Sequence, residues 1–334
     1  STMQEAIAAP KVGGIVRLTI FVIKATLMIE LLGAVAMSPV FCRDFGIKGL
    51  WMALFHSVSA FCNAGFDLMG VKSPFSSLTF YADEPLINFP IMLLIIIGGI
   101  GFLTWDDIRA NRFHIHKYRM QSKVIISTTA ILILVPALYF YFFEFSDLGL
   151  KERIFSSLFQ SVTPRTAGFN TVDLTSMSEA GQFITIILML IGGSPGSTAG
   201  GMKTTTIAVL FAIAIATFRR REDANFFGRR INGDVLKNAA TVFLMYITLS
   251  GVGGLIISIT EDLPILTCLF EAASAVGTVG LSLGITPGLG MLSRIILISL
   301  MFIGRVGGLT LIFAALSGTH HHVSKLPREK ITVG

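Results

Sequence analysis

The chain has 334 residues, of which 53% are hydrophobic and 14% charged, where an ordinary soluble domain carries roughly 25% charged residues. A soluble globule cannot hide that much apolar surface, and the same composition excludes intrinsic disorder, which leaves a polytopic membrane protein. The net charge of +6 first raises the question of where the cations sit, because cytoplasmic loops of membrane proteins collect Lys and Arg.

The opening STMQEAIAAPKVGG lacks the charged, apolar and cleavage regions of a signal peptide. Six stretches reach the length of about 20 apolar residues that crosses hydrocarbon. They are roughly 15–38, 86–105, 123–143, 181–217, 236–260 and 289–316. The fourth is overlong and is interrupted by GGSPGSTAGG at 192–201, whose glycines and proline cannot continue a regular helix. Three shorter apolar segments, near 48–62, 151–164 and 262–275, suit re-entrant helices better than full spans. Each runs into a Gly-containing stretch and a polar loop.

Four regions hold 16 of the 26 basic residues. The first two are Lys11 with Arg17, and Arg109, Arg112, Lys117, Arg119 and Lys123. The third is Arg219, Arg220, Arg221, Arg229, Arg230 and Lys237, and the fourth is Lys325, Arg328 and Lys330. With six spans all four fall on one side, so both termini of this chain are expected to be cytoplasmic. The short helices then connect on the opposite, acidic side, which holds Asp83, Glu84, Asp147, Glu261 and Asp262. Cys42, Cys62 and Cys268 form no CxxC pair, so neither a disulfide framework nor a zinc site is indicated.

One unit therefore recurs three times: span, re-entrant helix with loop, span. SAFCNAGF (59–66), VTPRTAGF (162–169) and SAVGTVGL (274–281) align without gaps. Non-helical backbone at membrane depth is tolerated only where it lines water or is buried in protein, and rings of carbonyl oxygens can replace the hydration shell of an alkali cation. The expected ion filter is the backbone at Asn63, Ala64, Gly65 and Phe66, at Thr166, Ala167, Gly168 and Phe169, and at Gly277, Thr278, Val279, Gly280 and Leu281. The aromatic or Leu that follows each glycine is expected to wedge its loop against the neighbours. The alternative, glycines serving tight helix packing, is disfavoured by the threefold recurrence. A phosphate loop at 196–204 is also disfavoured, since Met202 separates Gly201 from Lys203.

With GGIGF at 98–102, GGSPGSTAGGMKTTT at 192–206 and IGRVGGLTL at 303–311 added to NAGF, TAGF and TVGL, the whole chain resembles the Trk/Ktr/HKT superfamily of potassium transporters. The ending PREKITVG resembles the Ktr membrane subunit in particular. The resemblance implies an all-α membrane protein of the cell membrane, with four such repeats about a pseudo-fourfold axis. Three are visible, so a first repeat is expected elsewhere. On that count 1–121 is the second repeat with a cytoplasmic link, 122–234 the third, 235–318 the fourth, and 319–334 a cytoplasmic tail. It also implies that Gly192, Gly193, Ser194, Pro195, Gly196, Ser197, Thr198, Ala199, Gly200 and Gly201 form an intramembrane gate loop. A homodimer docked on a cytosolic nucleotide-binding regulatory ring is implied as well, the nucleotide lying on that partner. The expected function is gated uptake of K⁺, with Na⁺ left open. No covalent cofactor, transition-metal site, nucleic acid or enzyme chemistry is expected.

Arg305 lies mid-span, where a charge costs about 2.5–3.5 kcal/mol. It is expected to face the pore and pair with the gate loop, a role the resemblance supports. Lys203 either shares it or snorkels to the cytoplasm. Glu271, aligned with His56, is expected to make a capping or inter-repeat hydrogen bond. Arg165 is expected to brace its loop, and Asp67 and Asp173 to be external. Lys24 and Glu30 do not share a helix face. His320, His321 and His322 show no sign of a metal site. The arginines at 219–221 and 229–230 are explained by topology, with anionic lipid or a cytosolic partner as alternatives. An ion-coupled secondary transporter is the main rival, disfavoured by parallel repeats and few buried acids. A membrane enzyme would need ligands inside the spans, for which His56 alone is a poor candidate.

Overall fold

Long apolar runs punctuated by glycine give a chain built almost wholly of helices, and the computed structural model describes residues 15–112, 114–221 and 223–307. The first unit comprises α1 (Ile15–Phe45), α2 (Lys48–Phe61) and α3 (Pro85–Gly99), followed by α4 (Phe102–Asn111). The second comprises α5 (Met120–Tyr139), extended by a π-helical turn at Phe140–Glu144, then α6 (Leu150–Val162), α7 (Glu179–Leu190) and α8 (Thr204–Phe218). A small antiparallel hairpin, β1 (Asn225–Phe226) with β2 (Arg229–Arg230), leads to the third unit. That unit is α9 (Gly233–Glu261), α10 (Ile265–Val276) and α11 (Met291–Val306).

Each short helix packs against helices of its own unit. In addition α6 packs on α3, and α10 on α7. The units thus follow one another in chain order, with α6 and α10 each wedged against the unit before. Phe41, Phe61, Phe159 and Phe169 share one core cluster; Phe140, Tyr246, Phe270 and Leu297 belong to a second.

The radial pattern is that of a protein whose solvent is hydrocarbon. Leu27, Leu31, Leu32 and Val35 on α1 face outward, as do Ile131, Leu134, Val135 and Leu138 on α5. Many polar groups are inside and partnered. The Ser57 hydroxyl donates to the Glu30 carbonyl, Thr185 to Gly181, and the Asn88 amide to the carbonyls of Tyr81, Ala82 and Glu84. Unpaired backbone and hydroxyl groups cannot face lipid cheaply, so they collect in the interior.

Among the described residues α1, α5 with its π turn, and α9 are long and apolar enough to cross a membrane. The expected span at 86–105 departs from expectation. It stops at Gly99, and the chain turns by 97° into α4. Gly101, at φ +91°, supplies the turn, and the Phe102 N–H that starts α4 donates to the Gly196 carbonyl instead of continuing α3. The fourth stretch is two helices of 12 and 15 residues on either side of 191–203. Of the expected sixth stretch, 308–316 lies outside the described residues. So do residues 1–14, the histidines at 320–322 and the basic residues of the C-terminal tail.

Candidate functional site

The three aligned loops follow α2, α6 and α10 and share one backbone pattern. Asn63, Thr166 and Thr278 are left-handed, at φ 50°, 71° and 54°. Two residues on, Gly65, Gly168 and Gly280 are again at positive φ, 72°, 84° and 94°, and the residue between has negative φ. Such an alternation turns successive carbonyls to the same side of the chain. Left-handed Thr is costly while Asn tolerates the conformation, so finding two threonines there at the register of Asn63 marks an imposed conformation. The main chain is tied back in each loop, at one register in the first and third and one position later in the second. Ala64 N–H donates to Ser59, Ala167 to Thr163 and Val279 to Ser274, at 2.9, 3.1 and 2.8 Å.

What these loops leave free is their distinctive feature. The carbonyls of Asn63, Ala64 and Gly65, of Thr166, Ala167 and Gly168, and of Thr278, Val279 and Gly280 receive no hydrogen bond among the described residues. The side-chain oxygens of Asn63, Thr166 and Thr278 are buried and equally without a donor. Buried acceptors are normally satisfied, so the three buried side-chain oxygens, beside three matched sets of free carbonyls, give each loop a face of acceptors without a donor among the described residues.

The loops also touch in order. A Cβ on Gly65 would run into the Ala167 carbonyl, and one on Gly168 into the Val279 carbonyl, while Gly280 has open space beside it. Phe169 and Leu281 are buried as expected of wedges, but Phe66 is 71% exposed. It lines an open cleft between the first and third units, together with Glu271, Leu297 and Arg305. The wedge expectation fails at Phe66 because no neighbouring loop stands on that side among the described residues.

At one end the three glycines open onto a cavity of about 710 Å³ that also includes Asp67 and Asp173. Both acids are turn-forming. Asp67 accepts the Met69 N–H at 2.8 Å, and Asp173 accepts the N–H and hydroxyl of Thr175 at 2.9 and 2.7 Å. Two of the three loops are braced from behind by groups nine residues before their glycines. His56 Nε2 accepts the Leu68 N–H at 3.3 Å. Glu271 accepts the Leu283 N–H at 3.1 Å and the hydroxyls of Ser282 and Thr286. Glu271 therefore bonds within its own unit, and no bond crosses to another. Phe159 occupies the register in the second unit and can accept nothing. Arg165 is buried there, with Nε and Nη1 unpartnered. We expect Glu271→Ala to leave the half-buried Leu283 N–H without its acceptor, lower stability by about 1 kcal/mol and relax discrimination among alkali cations. Thermal unfolding in detergent and competing-ion fluxes measure the two effects; both unchanged would remove Glu271 from the brace.

At the other end lies the glycine-rich segment 192–203. Its neck is pinched by Gly192 N–H to Met202 O and Thr204 N–H to Gly193 O, at 2.7 and 3.0 Å. Gly200 packs on Thr278, where a Cβ would clash, and Gly201 lies over the Gly277 carbonyl. The segment is fastened to the first unit by main-chain bonds: Ser194 N–H to Gly99 O, Thr198 N–H to Gly98 O, and Phe102 N–H to Gly196 O. The Thr198 hydroxyl donates to the Phe61 carbonyl at 2.9 Å and accepts from the Asn63 amide at 2.8 Å. On the far side Arg305 Nη1 donates to the Thr198 carbonyl at 3.2 Å. Lys203 Nζ donates to the Ala199 carbonyl at 2.8 Å, folding back onto its own segment.

The docking of GGIGF onto the segment was not legible in the sequence. The glycines at 98–101 were a signal of close backbone approach, but they do not name the partner. The braces at His56 and Glu271 had a signal in their shared register. Lys24 is exposed and Glu30 buried, so they lie on different faces and form no pair.

The chain matches the family described as "TrkH: Cation transport protein" over residues 3–321. It is 40% identical to the potassium/sodium uptake protein NtpJ of Enterococcus hirae, over 99% of this chain and 75% of that protein. It is 36% identical to the Ktr system potassium uptake protein B of Bacillus subtilis, over 93% of this chain and 70% of that protein. In three dimensions it is similar to the crystal structure of the potassium transporter TrkH from Vibrio parahaemolyticus. That match has a TM-score of 0.73 at 21% identity, and covers 92% of this chain and 65% of the other.

Proposed function

The chain belongs to the TrkH family of cation transport proteins, and on that premise we propose that it is a pore-forming membrane subunit for potassium uptake. It is a membrane transport protein and not an enzyme. The observation that carries the reading is the set of loop carbonyls, three per unit, that no donor among the described residues satisfies. In this reading K⁺ is the substrate, and these oxygens take the place of its hydration water. The orphaned oxygens of Asn63, Thr166 and Thr278 extend the ladder at its inner end. The acids of the outer cavity raise local cation concentration.

The segment 192–203 acts as the gate in this reading, because it packs directly on the inner ends of the loops. Arg305 holds its free edge, and its charge opposes cations there. The open cleft beside Gly280 and Phe66 is filled by a fourth unit of the same kind, which completes the ring. Two copies pair in the membrane, and a cytosolic nucleotide-binding partner controls the gate, with both termini of this chain on its side. The name of the Enterococcus relative also includes sodium, which favours Na⁺ as a second permeant ion to be tested.

The test is radioactive rubidium uptake by the full natural protein in potassium-loaded vesicles. Rubidium should accumulate down its own electrochemical gradient with a protonophore present and sodium absent, and excess K⁺ should compete with it. Uptake that vanishes on removing either the proton or the sodium gradient would establish coupled transport instead.

A further inference from the structure

Away from the loops, a cavity of about 690 Å³ lies where α4 ends and α5 begins. Its walls are largely apolar: Ile108 from α4, Ile115 from the turn after it, Ile126 from the second turn of α5, and Phe227 from the tip of the hairpin. Arg112, His116 and Lys123 stand among them, and among the described residues no carboxylate lines the cavity.

Among the described residues no carboxylate pairs with Arg112 or Lys123. Lys123 Nζ lies 5.8 Å from the centre of the Phe227 ring and donates to the His116 carbonyl at 2.8 Å, which uses one of its three hydrogens. The exposed Arg112 guanidinium has no hydrogen bond or ion pair among the described residues. The nearest acids along the chain are engaged elsewhere. Asp107 accepts the Arg119 N–H at 2.7 Å and the Asn111 amide at 2.9 Å, and Asp106 pairs with Arg119 at 3.9 Å.

An occupant that suits both features needs an anionic head and a hydrocarbon body. A free anion would satisfy the cations and leave the apolar walls wet; a neutral apolar molecule would do the reverse. The cavity also sits at the end of α5, one of the helices long and apolar enough to span a membrane, so it opens at the level where lipid headgroups begin. We propose that it is a binding site for an anionic phospholipid of the leaflet on the basic side. The phosphate lies between Arg112 and Lys123, and an acyl chain runs over Ile115, Ile126 and Phe227. The site bears on the segment 192–203 as well. Ile108 lies on α4 and Arg112 directly caps it, and the first N–H of α4 holds the Gly196 carbonyl. A bound lipid therefore fixes the far end of the helix that anchors that segment.

The test is independent of which ion is carried. The full natural protein, purified in detergent and stripped of lipid, is titrated with phosphatidylglycerol or phosphatidylcholine, and retained lipid is counted by native mass spectrometry. Phosphatidylglycerol should be retained in preference to phosphatidylcholine. Arg112→Gln with Lys123→Gln should weaken its binding about 30-fold, at about fivefold for each basic side chain. Lys48→Gln with Lys151→Gln, an equal loss of charge away from the cavity, should leave it unchanged. Equal retention of the two lipids, or wild-type retention by the first pair, would overturn the proposal. Displacement by glycerol phosphate at the same concentration as the lipid would also overturn it, since the site would then be one for a free anion.

Discussion

Gly168→Ala is expected to reduce potassium uptake about 100-fold or more while leaving the protein in the membrane. The residue is at φ +84°, where an L side chain is strained by about 1–2 kcal/mol. Its Cβ would also run into the Val279 carbonyl of the next loop. That contact is backbone against backbone, so relief requires moving one of the oxygens assigned to ion binding. A misfit of about 3 kcal/mol at the highest barrier slows passage by about two orders of magnitude. Gly70→Ala is the matched control, because Gly70 has open space around it and is not at positive φ. It should stay within about 0.5 kcal/mol of wild type in stability and retain its uptake. Rubidium flux normalised to membrane-inserted protein is the measurement. Wild-type flux through Gly168→Ala would mean that the permeation path lies elsewhere.

Arg305→Ala is the second large effect, and its sign is opposite. Arg305 supplies a single hydrogen bond from α11 to the Thr198 carbonyl, in an exposed setting. A bond of that kind contributes about 1 kcal/mol, so losing it should shift the closed-to-open balance about fivefold. Removing the positive charge from the inner mouth adds to the gain. Flux measured without a cytosolic partner should rise, and whatever closure a partner imposes should weaken. Arg305→Lys keeps the charge and loses the reach of the guanidinium, so it separates the two contributions. Unchanged flux and unchanged closure would return Arg305 to the role of a structural charge.

The sequence carried the features that are written locally. The short helices ending at Phe61, Val162 and Val276 could be located because each is bounded by glycine or a polar loop and is too short to span. The interruption at 192–201 was visible because five glycines and a proline cannot hide in a helix. Arg305 stood out because a cation in an apolar run needs a partner. Features that depend on contacts between distant segments were not legible. Nothing in GGIGF says that its amides and carbonyls meet residues a hundred positions later. Phe66 reads like Phe169 in sequence, yet one is exposed and the other buried, because the difference lies in whether a neighbouring loop is present. The left-handed conformation of Asn63, Thr166 and Thr278 was equally hidden, since these residue types do not require it. The hairpin at 225–230 lay within a stretch read only for its charge.

The fastening of the segment 192–203 has a consequence for speed. Its main-chain bonds to Gly98, Gly99 and Phe102 all lie on one flank; on the other, among the described residues, Gly200 and Gly201 pack on Thr278 and Gly277 and the hydrogen bond comes from the side chain of Arg305. A flap hung on one jamb can swing without unfolding. If the segment moves as a gate, the first unit is the hinge and α11 the latch, and no secondary structure has to melt. Its opening then belongs with the loop motions of nanoseconds to microseconds, and not with the millisecond rearrangements of whole domains. A regulator acting on it would govern how often the latch is undone, leaving the stride of each swing to the chain itself.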